Sequence, residues 1–311
     1  MFSFFRRHNK HCHSLQYMQG SADARHDTAC TSQKPGWHAV MRAAVILATV
    51  SAVVFSACGN QDAASAAASD KSAGSTLVVG VDNYPPFDYL DTDGMPSGID
   101  VDLAREAFGR MGYNVEFKTI NWEDKKKLVE NGDIDCIWCC FTIDGRENDY
   151  RWAGPYMVSR QVVAVNPSSD IYSLKDLEGR RVAVQSTTKP ETIFRNADGV
   201  NIPHVGKLIS VPNRELIYIF LSKGYVDAVA AHDTAVEQFM HDYDLEYRIL
   251  DEPLLKVGLG AAFALNDTRG IDVELGKVMK EMLEDGTTRK IISEHLSDPD
   301  RYLEVDYAKY Q

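Results

Sequence analysis

The chain has no apolar run long enough to cross a bilayer comfortably. Its apolar stretch at residues 43–55 has about 13 residues, whereas a spanning helix needs about 20. It also has no basic patch, since 33 Lys and Arg stand against 45 Asp and Glu and the net charge is −12. An acidic surface repels nucleic acid, so we expect no nucleic-acid partner. A nucleophile elbow, a phosphate-binding loop and a zinc signature are also missing.

The short apolar stretch has the parts of an export signal. It follows Arg42 and ends in Ser-Ala directly before Cys58. A basic flank, an apolar core and small residues before a cleavage site are typical of secreted proteins. A cysteine at this place resembles a bacterial lipoprotein signal, although Phe55 stands where Leu is usual. We therefore expect residues 1–57 to be a leader and Cys58 to be lipidated, with an ordinary signal peptide or a membrane helix as alternatives.

Residues 58–75 are rich in Ala, Ser, Asp and Gln and have no apolar period. This composition is typical of a flexible tether. About 235 residues follow, enough for two small lobes or one large domain. The sequence thus predicts an exported, acidic body that a lipid anchors to the outer face of the bacterial cell membrane.

Two segments that follow the tether share one pattern, that of a helix followed by a short buried strand. The first begins at Asn121 and leads into a strand at 134–138, and the second begins at Asn213 and leads into a strand at 226–230. A glycine stands between helix and strand in both, as is common at helix ends. Leu216 is expected on the inward face of the second helix.

Other segments alternate between strand and helix in the same way. Residues 77–81 are apolar throughout, as in a buried parallel strand. Asp100 is expected to cap a helix, and the spacing of Thr188 and Glu191 is that of a capping box. The sequence therefore predicts an α/β fold with parallel strands, in which ligands bind beyond the carboxyl ends of the strands. The loops at those ends are 82–87, 139–146, 185–188 and 232–234.

Six short motifs follow one another along the chain: VGVDNYPPF at 79–87, GIDVDLA at 98–104, TIDGR at 142–146, GPY at 154–156, LKDLEG at 174–179 and GYVDA at 224–228. From about Leu77 to the C-terminus, this series resembles the family 3 extracellular solute-binding proteins, which serve ABC importers of polar amino acids. No single motif is decisive, and the resemblance lies in their order and spacing.

The resemblance implies a type II periplasmic-binding-protein fold, in which two lobes are joined by two crossing strands that form a hinge. It places lobe 1 at 76–159 plus 256–311 and lobe 2 at 160–255. The crossing strands are expected near 161–166 and 257–265.

The resemblance also implies where a solute is held. Arg146 is expected to bind a carboxylate, because its planar guanidinium can donate two parallel hydrogen bonds. The loop from Thr142, which is expected to line the same site, is one residue shorter than is usual in the family. Thr187 and Thr188 are expected to add contacts at the start of a lobe 2 helix. The alternatives are a solvent-facing Arg146 and a plain helix cap.

The sequence indicates less clearly which residue would bind the amine of a ligand. The family commonly has an acidic residue just after the lobe 2 strand, where this chain has His232 followed by Asp233. A neutral histidine can accept a hydrogen bond but supplies no charge. Either Asp233 takes the amine or the ligand lacks an ordinary α-amine. Asp82 is a second acid at a strand end, which could meet an amine or stabilise its own turn.

Four aromatic residues fall at the strand ends and could clamp a ligand side chain. Tyr84 and Phe141 are the stronger candidates, whereas Phe87 and Trp138 could equally belong to the core. Cys136 is expected in the core. Cys139 and Cys140 are expected to line the pocket and to shape its selectivity, and neither a metal site nor a disulfide is expected.

Two functional classes remain open. The first is a monomeric binding protein, without cofactor or metal, that closes on a small amino-acid-like solute and delivers it to the membrane subunits of an ABC importer. The second is an enzyme on the same fold, similar to the cyclohexadienyl or arogenate dehydratases. That enzyme would need a positioned acid or base, a role open to His232 or Asp233.

Overall fold

The computed structural model describes residues 74–197 and 202–310. The predicted leader, the lipidation site at Cys58 and nearly all of the tether lie outside the described residues. Within the described part, no helix is both long and apolar enough to cross a membrane. In the same ranges, no three His, Cys, Asp or Glu side chains come together as a possible metal site.

Strands and helices alternate along most of this part. The strands are β1 Thr76–Val81, β2 Tyr89–Leu90, β3 Pro96–Ser97, β4 Asn114–Thr119, β5 Cys136–Ile137, β6 Arg151–Val165, β7 Arg181–Gln185, β8 Lys207–Val211, β9 Ala228–His232, β10 Arg248–Ile249 and β11 Leu255–Phe263. The helices are α1 Ile99–Arg110, α2 Lys125–Asn131, α3 Lys189–Asn196, α4 Glu215–Ser222, α5 Asp233–Tyr243, α6 Ile271–Glu284 and α7 Thr287–His295. Short 3-10 turns lie at Trp122–Asp124, Leu174–Leu177, Pro299–Tyr302 and Tyr307–Tyr310.

One nine-stranded sheet runs in the order β4-β1-β5-β11-β6-β9-β7-β8, with β10 also paired to β6. Its two outer parts are parallel, as predicted: β4, β1 and β5 in one, and β9, β7 and β8 in the other. The central pairings of β5 with β11, β11 with β6, and β6 with β9 are antiparallel. The prediction of parallel strands therefore holds for the two outer parts, and at the centre two long strands run in opposite directions between the two halves.

The long strand β6 belongs to both halves of the sheet. Its first part pairs with β11, from Arg151 opposite Phe263 to Gln161 opposite Leu255. Its last part pairs with β9, beginning with Gln161 opposite His232. Gln161 thus lies at the point where the chain passes from one half to the other, and β6 with β11 forms the two-strand connection.

The buried side chains divide at the same strands. One cluster draws on residues 77–157 and 257–302, with Ala235 added. Two further clusters, on opposite faces of the second half, draw on residues 162–250. We call these halves lobe 1 and lobe 2. Their limits at 76–159 plus 256–311 and at 160–255 stay a prediction.

Three local predictions are wrong in detail. Gly98, not Asp100, caps α1, and the buried Asp100 carboxylate accepts hydrogen bonds from the Cys140 N–H (2.5 Å) and the Tyr156 hydroxyl (2.7 Å). Leu216 lies on the outer side of α4 and is 37% exposed. Thr188 does cap α3, but its hydroxyl donates to the Gln185 carbonyl instead of closing a capping box.

Candidate functional site

The carboxyl ends of β1, β5, β7 and β9 surround one cavity between the lobes. It holds about 440 Å³ of empty space, part of it open to solvent. Seven of the predicted residues line the cavity: Tyr84, Cys140, Phe141, Thr142, Arg146, Thr188 and His232. Five predicted residues are not in its lining: Asp82, Phe87, Trp138, Thr187 and Asp233.

Arg146 enters the cavity from lobe 1. Its two terminal nitrogens donate to backbone carbonyls, at 3.2 Å to Thr142 and at 3.3 Å to Thr187. The guanidinium carbon lies 5.1 Å from the centre of the Phe141 ring. Burial lowers the pKa of Arg146. No carboxylate of the described residues forms an ion pair with it, so its charge is available to an anionic ligand.

The turn before α3 is held from both lobes. Thr187 has a positive φ of 57°, and its hydroxyl accepts a hydrogen bond from the Lys125 ammonium of lobe 1 at 2.8 Å. Its backbone N–H donates to the Glu191 carboxylate at 2.6 Å. That N–H is therefore already bound, and Thr188 is the residue of this predicted pair that faces the cavity.

Lys125 is a lysine whose side chain is almost fully buried. Burial, and next the nearby charge of Arg146, lower the pKa of this ammonium to about 7. Its nitrogen lies 4.6 Å from the centre of the Trp122 ring and donates to the Trp122 carbonyl. This ammonium does not line the cavity itself but contacts Trp122 and Phe141, which do.

A second arginine reaches the cavity from lobe 2. Arg214 precedes α4, and its guanidinium carbon lies 3.0 Å from the centre of the Tyr84 ring. It donates to the Asp82 carboxylate at 3.0 Å and to the Asn83 carbonyl at 3.2 Å. Asp82 also accepts from the Gln185 amide at 2.9 Å. The structure therefore engages Asp82 in an ion pair between the lobes.

His232 lines the cavity but is bonded at both ring nitrogens. Its Nδ1 lies 2.8 Å from the Ser159 hydroxyl and its Nε2 lies 2.7 Å from the Gln161 amide nitrogen. Burial, and then the charges of Arg214 and Arg146, lower the pKa of His232 to about 3. The imidazole is therefore neutral and supplies no charge to a ligand.

Asp233 points away from this cavity. It is fully buried and forms ion pairs with Arg160 at 2.9 Å and with Arg301 at 2.7 Å. Its charge is thus already balanced at the base of the two crossing strands. No Asp or Glu of the described residues lines the cavity.

Of the predicted aromatic residues, some form the wall of the cavity and others lie in the hydrophobic core behind it. Phe141 lines the cavity and packs against Trp122 and Trp152, with ring centres 5.2 Å and 5.1 Å away. Trp138 is buried between Phe108 and Tyr156, behind the wall. Phe87 is also buried, against Tyr84 and His232.

Cys139 and Cys140 both line the cavity, and Cys136 lies in the core. All three are free thiols. Burial raises the pKa of each of them, which keeps the thiols protonated. The Cys139 sulfur accepts a hydrogen bond from the Asp82 N–H at 3.4 Å.

Several lining residues were not among the predictions: Trp122, Gln161, Gln185, Lys189 and Arg214. Arg214 begins the second of the two helices that share a helix–strand pattern, directly after a strand, and Gln185 is the last residue of a strand. Gln185 already stands in the predicted strand-end loop 185–188, and the position of Arg214 after a strand could have identified it as well. Gln161 lies inside a long strand, where no local signal marks it.

Residues 77–298 match a known family, the bacterial extracellular solute-binding proteins, family 3. The glutamate-binding protein GluB of Corynebacterium glutamicum is 24% identical over 262 residues, which cover 79% of this chain and 86% of GluB. The putative amino-acid ABC transporter-binding protein PatH of Vibrio harveyi is 28% identical over 211 residues, which cover 67% of this chain and 83% of PatH.

Solved structures show the same two-lobed architecture. An ancestral arginine-binding protein bound to arginine superposes with a TM-score of 0.65 at 27% identity, covering 71% of this chain and 98% of its own. The ancestral amino-acid-binding protein AncCDT-1, described as a precursor of cyclohexadienyl dehydratase, gives a TM-score of 0.62 at 25% identity, covering 71% and 94%. The predicted type II periplasmic-binding-protein fold is therefore confirmed.

Proposed function

The chain belongs to the bacterial extracellular solute-binding proteins, family 3, and we propose that Arg146 captures the carboxylate of the amino-acid-like solute that its lobes enclose for an ABC importer. GluB and PatH, whose names describe glutamate binding and amino-acid ABC transport, resemble it over most of their length. Membership of an extracellular family places the protein outside the cytoplasm.

One observation carries this role for Arg146. The guanidinium lines the cavity between the lobes, loses much of its hydration there, and has no carboxylate partner among the described residues. An unpaired charge removed from water costs free energy. An anion that enters the cavity can therefore form the ion pair that Arg146 lacks, and this favours its binding. The planar guanidinium suits a carboxylate in particular, because it can donate two parallel hydrogen bonds to it.

Delivery to a membrane importer also requires that the protein stays near the membrane. The Ser-Ala-Cys58-Gly sequence after the apolar stretch supports lipidation of Cys58 and anchoring at the outer face of the cell membrane. A monomer is sufficient for this role, because one chain supplies both lobes of the cavity.

An enzyme on this fold, similar to a cyclohexadienyl dehydratase, is the alternative, and the likeness to AncCDT-1 is the observation in its favour. A dehydratase needs a group that exchanges a proton with the substrate. His232 is neutral and bonded at both nitrogens, and Asp233 is paired with two arginines away from the cavity. These contacts favour binding without reaction. Formation of product from prephenate by the purified protein would support the enzyme instead.

The test of the binding role is Arg146→Ala, compared with Arg146→Lys and with the matched surface variant Arg180→Ala. Titration calorimetry with L-glutamate, L-glutamine, L-arginine and L-histidine identifies the tightest ligand of the wild type. Loss of a buried charge pair weakens binding by at least about 30-fold, so we expect Arg146→Ala to lose measurable binding and Arg146→Lys to restore only part of it. Arg180 is partly exposed, pairs with the exposed Asp170 and lies outside the cavity lining, so its removal should leave the affinity unchanged.

An unchanged melting temperature of Arg146→Ala would show that its fold is intact. Near-normal affinity of that variant would contradict the proposed role of Arg146.

A further inference from the structure

Two amide side chains in the cavity each have a buried oxygen without a partner. Gln161 is 2% exposed and Gln185 is 3% exposed, and both line the cavity. The Oε1 atom of each has no hydrogen-bond donor among the described residues. A buried acceptor without a donor destabilises a protein, and two in the same cavity indicate that a donor belongs there.

The orientation of the Gln185 amide follows from its neighbours. Its nitrogen donates to the Asp82 carboxylate at 2.9 Å and to the Pro212 carbonyl at 3.1 Å. An ionised carboxylate and a carbonyl can only accept, so the NH₂ group must lie on this side. The oxygen is therefore the end of the amide that is left without a partner.

The orientation of the Gln161 amide is set by a chain of hydrogen bonds from the hinge. The Ser159 hydroxyl donates to Asp233 at 3.4 Å, so it accepts from Nδ1–H of His232 at 2.8 Å. Nε2 of the neutral imidazole is then an acceptor and receives the Gln161 NH₂ group at 2.7 Å. The oxygen of Gln161 is again the unpartnered end. His232 and Asp233 thus act on the site through Gln161.

The charges around the cavity indicate what kind of donor belongs there. Arg214 is balanced by Asp82, whereas Arg146 and Lys189 have no ion-pair partner among the described residues. The Lys189 ammonium lies against Gly145, the residue next to Arg146 in the chain. Two unpaired cations and no lining carboxylate favour a ligand with two negative groups.

We propose that the cavity binds an acidic amino acid, with its two carboxylates on Arg146 and Lys189 and its ammonium on the amide oxygens of Gln161 and Gln185. This assignment rests on the proposed function, because it takes Arg146 as the carboxylate site. Neutral oxygens can hold an ammonium here because the second carboxylate of the ligand offsets its charge among the surrounding cations.

The test uses calorimetry with five probes: L-glutamate, L-aspartate, glutarate (glutamate without its ammonium), L-glutamine and L-arginine. We expect L-glutamate or L-aspartate to bind most tightly, and glutarate and L-glutamine to bind about tenfold more weakly or worse, since each lacks one charged contact. Tighter binding of L-glutamine or L-arginine would overturn the acidic class while leaving Arg146 as the carboxylate site. Binding of glutarate at least as tight as that of both acidic amino acids would overturn the ammonium assignment.

Substitutions of the two glutamines test the contribution of the amide oxygens separately from that of the rest of the site. Gln185→Met and Gln161→Met remove one acceptor each, and Gln238→Met, on α5 outside the cavity lining, is the matched control. We expect each cavity variant to reduce the preference for the acidic amino acid over its deaminated analogue by about fivefold or more, and the control to keep it. An unchanged preference in folded Gln185→Met, checked by its melting temperature, would overturn the assignment. If no probe binds, or if Arg146→Ala binds like the wild type, the proposed function itself fails.

Discussion

Lys125 holds its ammonium between the Trp122 ring and the Thr187 hydroxyl, near Arg146. Burial first, and repulsion by Arg146 second, lower its pKa to about 7 in the ligand-free protein. A bound carboxylate offsets the charge of Arg146 and should raise this pKa again. Binding of an anionic ligand is therefore expected to take up a proton.

The sign of the resulting pH dependence follows from linkage. Below pH 7 the ammonium is already charged and the affinity is highest; above pH 7 the free protein has lost the proton and the affinity falls. Each unit by which the ligand raises the pKa of Lys125 makes a difference of about tenfold in affinity. Calorimetry of L-glutamate at pH 6 and pH 8, in buffers of different ionisation enthalpy, measures both the affinity and the proton uptake.

Lys125→Met should remove this dependence of the affinity on pH, because methionine fills a similar volume without a titrating group. Lys126→Met is the matched control, since Lys126 is exposed and pairs with Asp149 at the surface. Equal affinity of the wild type at the two pH values would contradict the role assigned to Lys125.

At the scale of elements, the start of α1 depends on a glycine that packs directly on another loop. Gly98 has a φ of 121°, and a Cβ there would lie 2.6 Å from the Phe87 carbonyl carbon and 2.8 Å from the Pro86 oxygen. Gly109, near the other end of the same helix, has open space around it. The same substitution should therefore act in opposite directions at the two ends.

Gly98→Ala is expected to lower the free energy of unfolding by at least about 2 kcal/mol, because it combines a backbone clash with a disfavoured φ. Gly109→Ala, its matched control, is expected to raise it by about 0.5–1 kcal/mol through helix propensity. Urea unfolding followed by circular dichroism measures both. A neutral Gly98→Ala would show that α1 can move away from the 86–87 loop at little cost.

At the scale of the whole molecule, the ion pair between Asp82 and Arg214 joins the two lobes beside the cavity that Arg214 lines. Both side chains are mostly buried, at 20% and 9% exposure. If only Asp82 is neutralised, the buried Arg214 loses its partner, which costs about 3–5 kcal/mol as long as the lobes stay closed. Opening of the lobes would hydrate the guanidinium and avoid that cost.

Asp82→Asn is therefore expected to shift the ligand-free protein toward an open form with a larger radius of gyration, measured by small-angle X-ray scattering. Asp170→Asn, which removes an exposed partner of Arg180, should leave the scattering profile unchanged. A profile of Asp82→Asn that matches the wild type would contradict a role of this ion pair in closure.

The sequence by itself determined the features that depend on neighbouring residues. Apolar runs and glycine stops predicted β1, β5 and β9 and the helices α1 to α4, and the family resemblance carried by the order of the short motifs implied the two-lobed fold. The loop with Arg146 follows β5, and the carboxyl ends of parallel strands meet at one edge, so its place at the cavity could be predicted. The role of Arg146 as carboxylate ligand stays a prediction.

Only the tertiary structure decided which polar groups become partners. Asp82 and Arg214 are 132 residues apart in the chain, and their ion pair depends on how the lobes approach each other. Gln161 and His232 are 71 residues apart and meet because β6 and β9 pair in one particular register. The orientation of a buried amide depends on each donor and acceptor around it, and these come from separate strands and helices whose meeting no local pattern specifies.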